Sequence, residues 1–497
     1  MSPAGPARTG AGPADLVDTR RGSHAGPEFS RGNTIPALGV PHGFTLVTPA
    51  TDASDRRWPY RPYVHDDPAG RRLEAVQICH HASPWIGDFG VLQFMPFSGA
   101  PTSARSKRRR HIRPGTELAR PYGYAAELLG PGSRAASHGA ETGDHAVSTI
   151  GLSVTATSHT AAFRVAGDGS VGFIIDQVDD RGDLRFDQDT TGRVEFCGWV
   201  EQRADQAWGK APRTYFVGQT GGPAQWGRLN DDGRGHVAGH VTQRQCPGSS
   251  MTEESKMGRL PARGSAGDSP NRNEIADPSW EAASSDADDH TGVFEVRVAT
   301  SFISIDQARR SLELEADWSM SFEAIQARAR ADWNAVCSTI SVAIDKDEHR
   351  ALADRDLRAT VAADLYRLHL YPNDMSENAG SEEAPSWRHL DVFGATTRSG
   401  QPTPATPPPA TPPPATPTPA TPTPDHTSLP VIPGHAVVTN GYWDTYRTVW
   451  PLLCLLDPSL TGALLDGQLA QVRCGGWMAR WSAPGYVDSM VGTSSDQ

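Results

Sequence analysis

The chain has 497 residues and a formal charge of −12. It is long enough for two or more domains, and it lacks the overall basic balance with which a nucleic-acid binder displaces counterions; a neutral glycan needs no such field. No apolar run is long enough to span a bilayer, and the opening segment has no apolar core of signal-peptide length, so neither a membrane span nor an export address is visible.

Residues 1–31 are rich in Gly, Ala and Pro and are expected to be disordered. Over 32–304, short apolar runs such as GFTLVTP, AVQICH, GLSVTAT, VGFIIDQV and VFEVRVATSFIS recur between Gly, Asp and Pro turns. That punctuation predicts an antiparallel β-sandwich or barrel. Within it, 246–291 is polar and aperiodic and is expected to be a disordered insertion. The basic run KRRRHIR, 107–113, reads as a solvated loop. The acidic run DQVDDRGDLRFDQD, 176–189, lacks EF-hand spacing and reads as turns between strands. Six cysteines form no CxxC pair, which points to buried or free thiols rather than a zinc ribbon or thioredoxin motif.

At Ser304 the apolar period lengthens from two to about 3.6. Ser304 to Gln307 fits a capping box. A second helix should bury Phe322, Ile325, Ala329, Trp333 and Val336. A third should bury Leu357, Val361, Leu365 and Leu368 and end before Pro372. The Pro/Thr/Ala tract at 401–424 removes backbone donors and fixes φ, so polyproline II is expected there. It reads as a linker or an inserted loop. Beyond it, Tyr442, Tyr446, Val449, Leu453 and Leu456 share one helical face. Asp457-Pro458-Ser459 then breaks the chain and caps a second helix, with Leu460, Leu464, Gln468 and Val472 on one face and Gly475-Gly476 at its end. These two helices are expected to be antiparallel neighbours.

Three clusters hold polar and aromatic residues beyond what a fold requires. HHASPWIGDFG (80–90) brings Trp85 and Asp88 to the mouth of a strand. An aromatic platform beside a carboxylate is the chemistry that grips a sugar, through stacked C–H groups and charge-assisted hydrogen bonds. NGYWDTYR (440–447) sets Trp443, Asp444 and Arg447 at a helix start. There Asp444 can pair with Arg447 or favour the helix dipole, or else face a pocket and grip hydroxyls. In CGGWMARW…GYVDSMVGTSSD (474–496), the double glycine permits close backbone approach, and Trp477 and Trp481 could wall a pocket or simply pack. No GxSxG elbow, P-loop, dinucleotide-binding GxGxxG or HExxH motif occurs.

Together with GNTIPALGVPHGF (32–44), VRVATSFISIDQARRSLELE (296–315) and YRLHLYPNDMSEN (366–378), these segments resemble glycoside hydrolase family 92, the calcium-dependent exo-acting α-mannosidases. The resemblance runs from about residue 32 to the end of the sequence, around 246–291 and 401–424. It implies an N-terminal β-sandwich (32–304), linker helices and the start of a catalytic domain (305–400), an inserted loop (401–424) and the first helices of an incomplete (α/α)6 toroid (425–497). It also implies Ca2+ and a mannose-containing glycan or N-glycan as partners. Trp85 and Asp444 match positions lining the terminal-mannose subsite. Asp88, Trp443, Arg447 and Trp477 lie in the same motifs and carry a binding or supporting role. Hydrolysis by inversion would follow, with an acid and a base about 6.5–9.5 Å apart.

The motifs that carry that acid and base in the family, TLEYAYDDW and GNDDxGQ, are absent from this sequence. By the resemblance, the general acid and base are expected beyond Gln497, in a later part of the toroid. No catalytic or metal residue is therefore assigned, and impaired turnover is expected. The alternative expectation is a non-catalytic carbohydrate-binding or scaffold protein built from the same parts.

Overall fold

The structure, a computed structural model, describes residues 12–23, 34–54, 59–60, 71–80, 92–130, 149–167, 169–177, 181–201, 212–229, 234–241, 292–343, 351–392, 429–476 and 478–484. In the strand Arg193–Glu201, Val194, Phe196, Gly198 and Val200 are buried while their neighbours are half-exposed, the period of two that lays one strand face on a core. Eight such strands form an antiparallel sheet in the spatial order Arg181–Gln188, Arg193–Glu201, Thr214–Pro223, Gly292–Ser301, Thr160–Gly167, Thr149–Ala156, Gly123–Leu129 and Leu118–Arg120. A six-stranded antiparallel sheet runs Leu46–Ala50, Ala75–Cys79, Leu92–Ser98, Gly169–Asp176, Gly235–Val241 and Gln225–Arg228. The sheets meet through Phe94, Phe163, Phe173 and Phe196, with Phe94 and Phe163 ring centroids 4.6 Å apart. This is a β-sandwich.

Leu46–Ala50 and Ala75–Cys79 are buried along their whole length because both faces are covered. Val47, Val76 and Ile78 join the inter-sheet core, while Leu46 and Cys79 pack with Trp333 and Tyr366 of the helices that follow. Those helices span Ile305–Ala316, Phe322–Cys337 and Ala351–Leu368. Ser304 caps the first by accepting from the Gln307 amide at 3.0 Å. The expected return contact is not made. The Ser304 amide already donates to Ser301 Oγ, and the Gln307 side chain donates to the Asn378 carbonyl. At the other end, the buried Arg297 guanidinium donates to the Ala316, Asp317 and Met320 carbonyls. A sandwich cation thus satisfies the free carbonyls of a helix C-terminus.

Phe322, Ile325, Ala329 and Trp333 are buried as the periodicity predicts, whereas Val336, near the helix end, is only half-buried. The third helix is rotated from expectation. Leu357 is exposed and Val361 half-buried, and the core face is Ala362, Ala363, Leu365 and Tyr366. Small alanines let this helix lie close to its neighbour, and Tyr366 Oη donates to the Ala37 carbonyl at 2.6 Å; pattern reading gives alanine too little weight.

Two further expectations are corrected. Residues 12–23 lie in the segment expected to be disordered, yet Pro13–Leu16 is a 3-10 helix. Ala14 and Val17 are buried against Trp333, and Asp15 is tied to Arg330 and Tyr122. The basic run is not a solvated loop either: Arg108 and Arg110 are buried. Arg105, Arg108 and Arg234 converge on Asp176 at 3.3, 2.7 and 3.0 Å. A buried cation is tolerated when paired in this way. The acidic run splits between a strand, Arg181–Gln188, and a turn in which Asp189 Oδ1 accepts from the Thr191 and Arg193 amides.

Between sandwich and helical region lies a buried ionisable joint. Phe44 stacks on His159 and packs on His80 and Phe302. His159 Nδ1 meets Glu315 Oε1 at 2.6 Å and Nε2 meets the Ser376 carbonyl at 3.1 Å. With an acceptor on each ring nitrogen, the imidazolium is favoured. Burial opposes its charge, but the Glu315 carboxylate outweighs burial and raises the His159 pKa. Nearby, fully buried Glu377 accepts from Ser301 Oγ at 2.5 Å and from the Phe302 amide at 2.8 Å. Burial pushes its carboxyl up to about 7.

Candidate functional site

The apolar face after Val438 predicts one helix from Tyr442 to Leu456. The structure has instead a single turn, Tyr442–Thr445, followed by a separate helix, Val449–Leu456. Pro451 is the reason: within a continuous helix its ring would strike the Arg447 carbonyl. Restarting at Val449 leaves Pro451 in a first turn, where no amide is needed. Asp457 then accepts from the Leu460 amide at 2.9 Å and caps Pro458–Gly475, which ends at Gly476 with φ of 80°. Leu452, Leu455, Leu465 and Leu469 of these two helices are exposed.

This geometry joins two of the sequence clusters. Asn440 and Gly441 pair antiparallel with Ser482 and Trp481. Ser482 is held from behind: its hydroxyl meets Gln471 Oε1 at 3.0 Å, and Gln471 donates to the Ala483 carbonyl at 2.9 Å. Gly441 leaves the space that this packing needs. A methyl group built on it would overlap the Trp481 ring and come within 2.5 Å of Asp444 Oδ2. Indole and carboxylate therefore lie over the same glycine. Just before them Thr439 has φ of 67°, a left-handed conformation that is strained for a β-branched residue and is found at functional sites.

Trp443 and Asp444 face solvent in part, and burial raises the Asp444 carboxyl above the ordinary carboxylate range. Arg447 does not pair with Asp444, although the spacing allowed it. Its guanidinium lies 4.4 Å from the Tyr446 ring centroid and 5.9 Å from that of Trp443, so stacking on aromatic faces replaces the ion pair. Trp85, Asp88 and Trp477 lie outside the described residues. The strand Ala75–Cys79 ends just before His80, whose ring partners Phe44 and Phe302 share a core cluster with Val438.

Sequence reading missed the His159–Glu315–Glu377 joint, because its members come from three segments with no shared motif. Among the described residues, no group of three or more acidic, histidine or cysteine side chains could hold a metal ion, and none of the helices is long and apolar enough to cross a membrane.

An antiparallel sandwich leads into a helical region in which a carboxylate, Asp444, stands beside the Trp481 indole, a pairing of groups suited to a sugar. The family profiles bear this out: the glycosyl hydrolase family 92 N-terminal domain matches residues 16–300 and the family's catalytic domain matches residues 307–497, so the chain belongs to this family. A family GH92 inverting mannosidase from Bacteroides thetaiotaomicron has the same fold with a TM-score of 0.66 and 20% identity, over 98% of this chain and 52% of that one. A family GH92 α-mannosidase from the same bacterium matches with a TM-score of 0.62 and 14% identity, over 98% and 54%. The chain thus spans about half the length of these structures. No curated protein matches it.

Proposed function

We propose that the chain recognises terminal α-mannose on glycans, as part of an inverting, α-1,2-type mannosidase chemistry, with Asp444 as the carboxylate that accepts from sugar hydroxyls. The observation that carries this reading is the Asn440–Gly441 and Trp481–Ser482 pairing, which sets Asp444 beside an indole ring. Among the described residues no cation pairs with Asp444, so its carboxylate retains acceptor capacity for hydroxyls. Support comes from the mannosidase descriptions of the similar structures, one of them a complex with mannoimidazole. Trp443 and Arg447 flank the carboxylate. Trp85, Asp88 and Trp477 complete the proposed subsite from the segments that match the family's motifs.

Among the described residues, no group of three or more acidic, histidine or cysteine side chains could hold the calcium that the resemblance implies. The family's acid and base motifs do not occur in this sequence, and a second reading is binding without appreciable turnover. One experiment covers both: calorimetry of the purified chain with methyl α-D-mannopyranoside, alongside an aryl α-mannoside assay with added calcium. Binding that falls at least ~30-fold in Asp444→Asn is expected, with little turnover, since a charge-assisted hydrogen bond is worth about 2 kcal/mol. Equal affinity in the variant would refute the role of Asp444, and rapid turnover would refute the second reading.

A further inference from the structure

The geometry points to Trp481 and Gly441 as further members of this sugar site: Trp481 is the apolar wall on which ring C–H groups stack, and Gly441 is the positioning residue that holds wall and carboxylate together. The inference rests on the reading of Asp444 as a mannose-binding carboxylate, and it adds what kind of ligand face the site selects.

Trp481 ring atoms and Asp444 Oδ2 each come within 2.5 Å of the point where a Gly441 side chain would begin, so they stand no more than about 5 Å apart. A pyranose presents an apolar C–H patch rimmed by hydroxyls at that scale, and indole plus carboxylate satisfies both faces together. Trp481 is only half-buried, whereas Ser482 beside it is fully buried and fixed through Gln471. The backbone beneath the ring is therefore anchored while part of the ring reaches solvent. A side chain at position 441 would push ring and carboxylate apart. Both groups are thus set by a residue that touches no ligand.

The ligand class is a pyranose with an unobstructed C–H face next to hydroxyls, as opposed to any polyol. Calorimetry with methyl α-D-mannopyranoside and with mannitol, which offers hydroxyls without a ring face, separates the two. The purified full chain should bind the mannoside at least ~10-fold more tightly than mannitol. Trp481→Ala should abolish that preference, and Trp481→Phe should retain most of it. Gly441→Ala should weaken mannoside binding about 10-fold and lower the melting temperature. The double variant Gly441→Ala/Trp481→Ala relieves the ring overlap, so it should regain melting temperature without regaining affinity. Unchanged mannoside preference in Trp481→Ala, or wild-type affinity in the double variant, overturns the proposal. If Asp444→Asn loses binding while Trp481→Ala does not, only this inference falls. If the wild-type chain binds no mannoside, the reading of Asp444 falls and takes this one with it.

Discussion

Replacing Glu377 with glutamine isolates the electrostatics of the joint between sandwich and helices. A carboxyl held at about 7 against an ordinary 4.5 costs about 3 kcal/mol once it is ionised inside the fold. Its folded value lies above its unfolded value, so folding favours the protonated form. The joint is at full strength below about pH 4.5 and weakens as pH rises through 7. Glutamine does not titrate. Its oxygen can still accept from the Phe302 amide, but its NH2 group faces Ser301 Oγ. That hydroxyl already accepts from the Ile303 and Ser304 amides and has only its proton left to offer. The mismatch should cost about 1 kcal/mol at every pH. The variant is therefore expected to be less stable than wild type near pH 4.5 and more stable by about 2 kcal/mol near pH 8. Urea unfolding followed by tryptophan fluorescence across this range gives both curves, and their difference cancels the carboxylates common to the two proteins. Parallel curves, with a gap independent of pH, would refute the reasoning.

Trp333→Ala removes a fully buried indole that donates to the Gly39 carbonyl at 2.8 Å. It should lower stability by about 3–5 kcal/mol in urea unfolding. Asp176→Asn leaves Arg108 buried without its anion and should cost about 3–5 kcal/mol; a thermal melt matching wild type would mean that the arginines find other compensation. Mannoside affinity should fall as pH drops through the raised Asp444 value, because protonation replaces one acceptor site with a donor. Calorimetry between about pH 4 and 7 checks the sign, and a flat profile would remove the carboxylate from the interaction.

Strands and helix boundaries were legible wherever one physical signal dominated. Alternation along Arg193–Glu201, the Ser304 hydroxyl cap and the Asp457-Pro458 start with its Gly476 stop are local events, complete within a few residues. The failures have a common cause in partners far along the chain. Arg108 reads as a surface charge until Asp176 is placed beside it. Residues 13–17 read as a loose leader until Arg330 and Trp333 arrive. The break before Val449 was readable from Pro451 alone, yet the strength of the apolar face hid it. At the candidate site, Asp444 and Trp481 were each visible as residue types in motifs. Their meeting over Gly441 was not, since it depends on a strand pairing across some forty residues.

The leucines displayed by the last two helices set how the purified chain should behave in the tube. Leu455 is 78% exposed, with Leu465, Leu469 and Leu452 beside it in the same helical pair. Full burial of an exposed leucine releases about 1.5–3 kcal/mol; Leu455 comes near that figure and the other three would release less than half of it, a gain open to any apolar surface of matching shape. Light scattering that grows with protein concentration, and strong uptake of a hydrophobic dye by the folded chain, are the signatures of such a sticky flank.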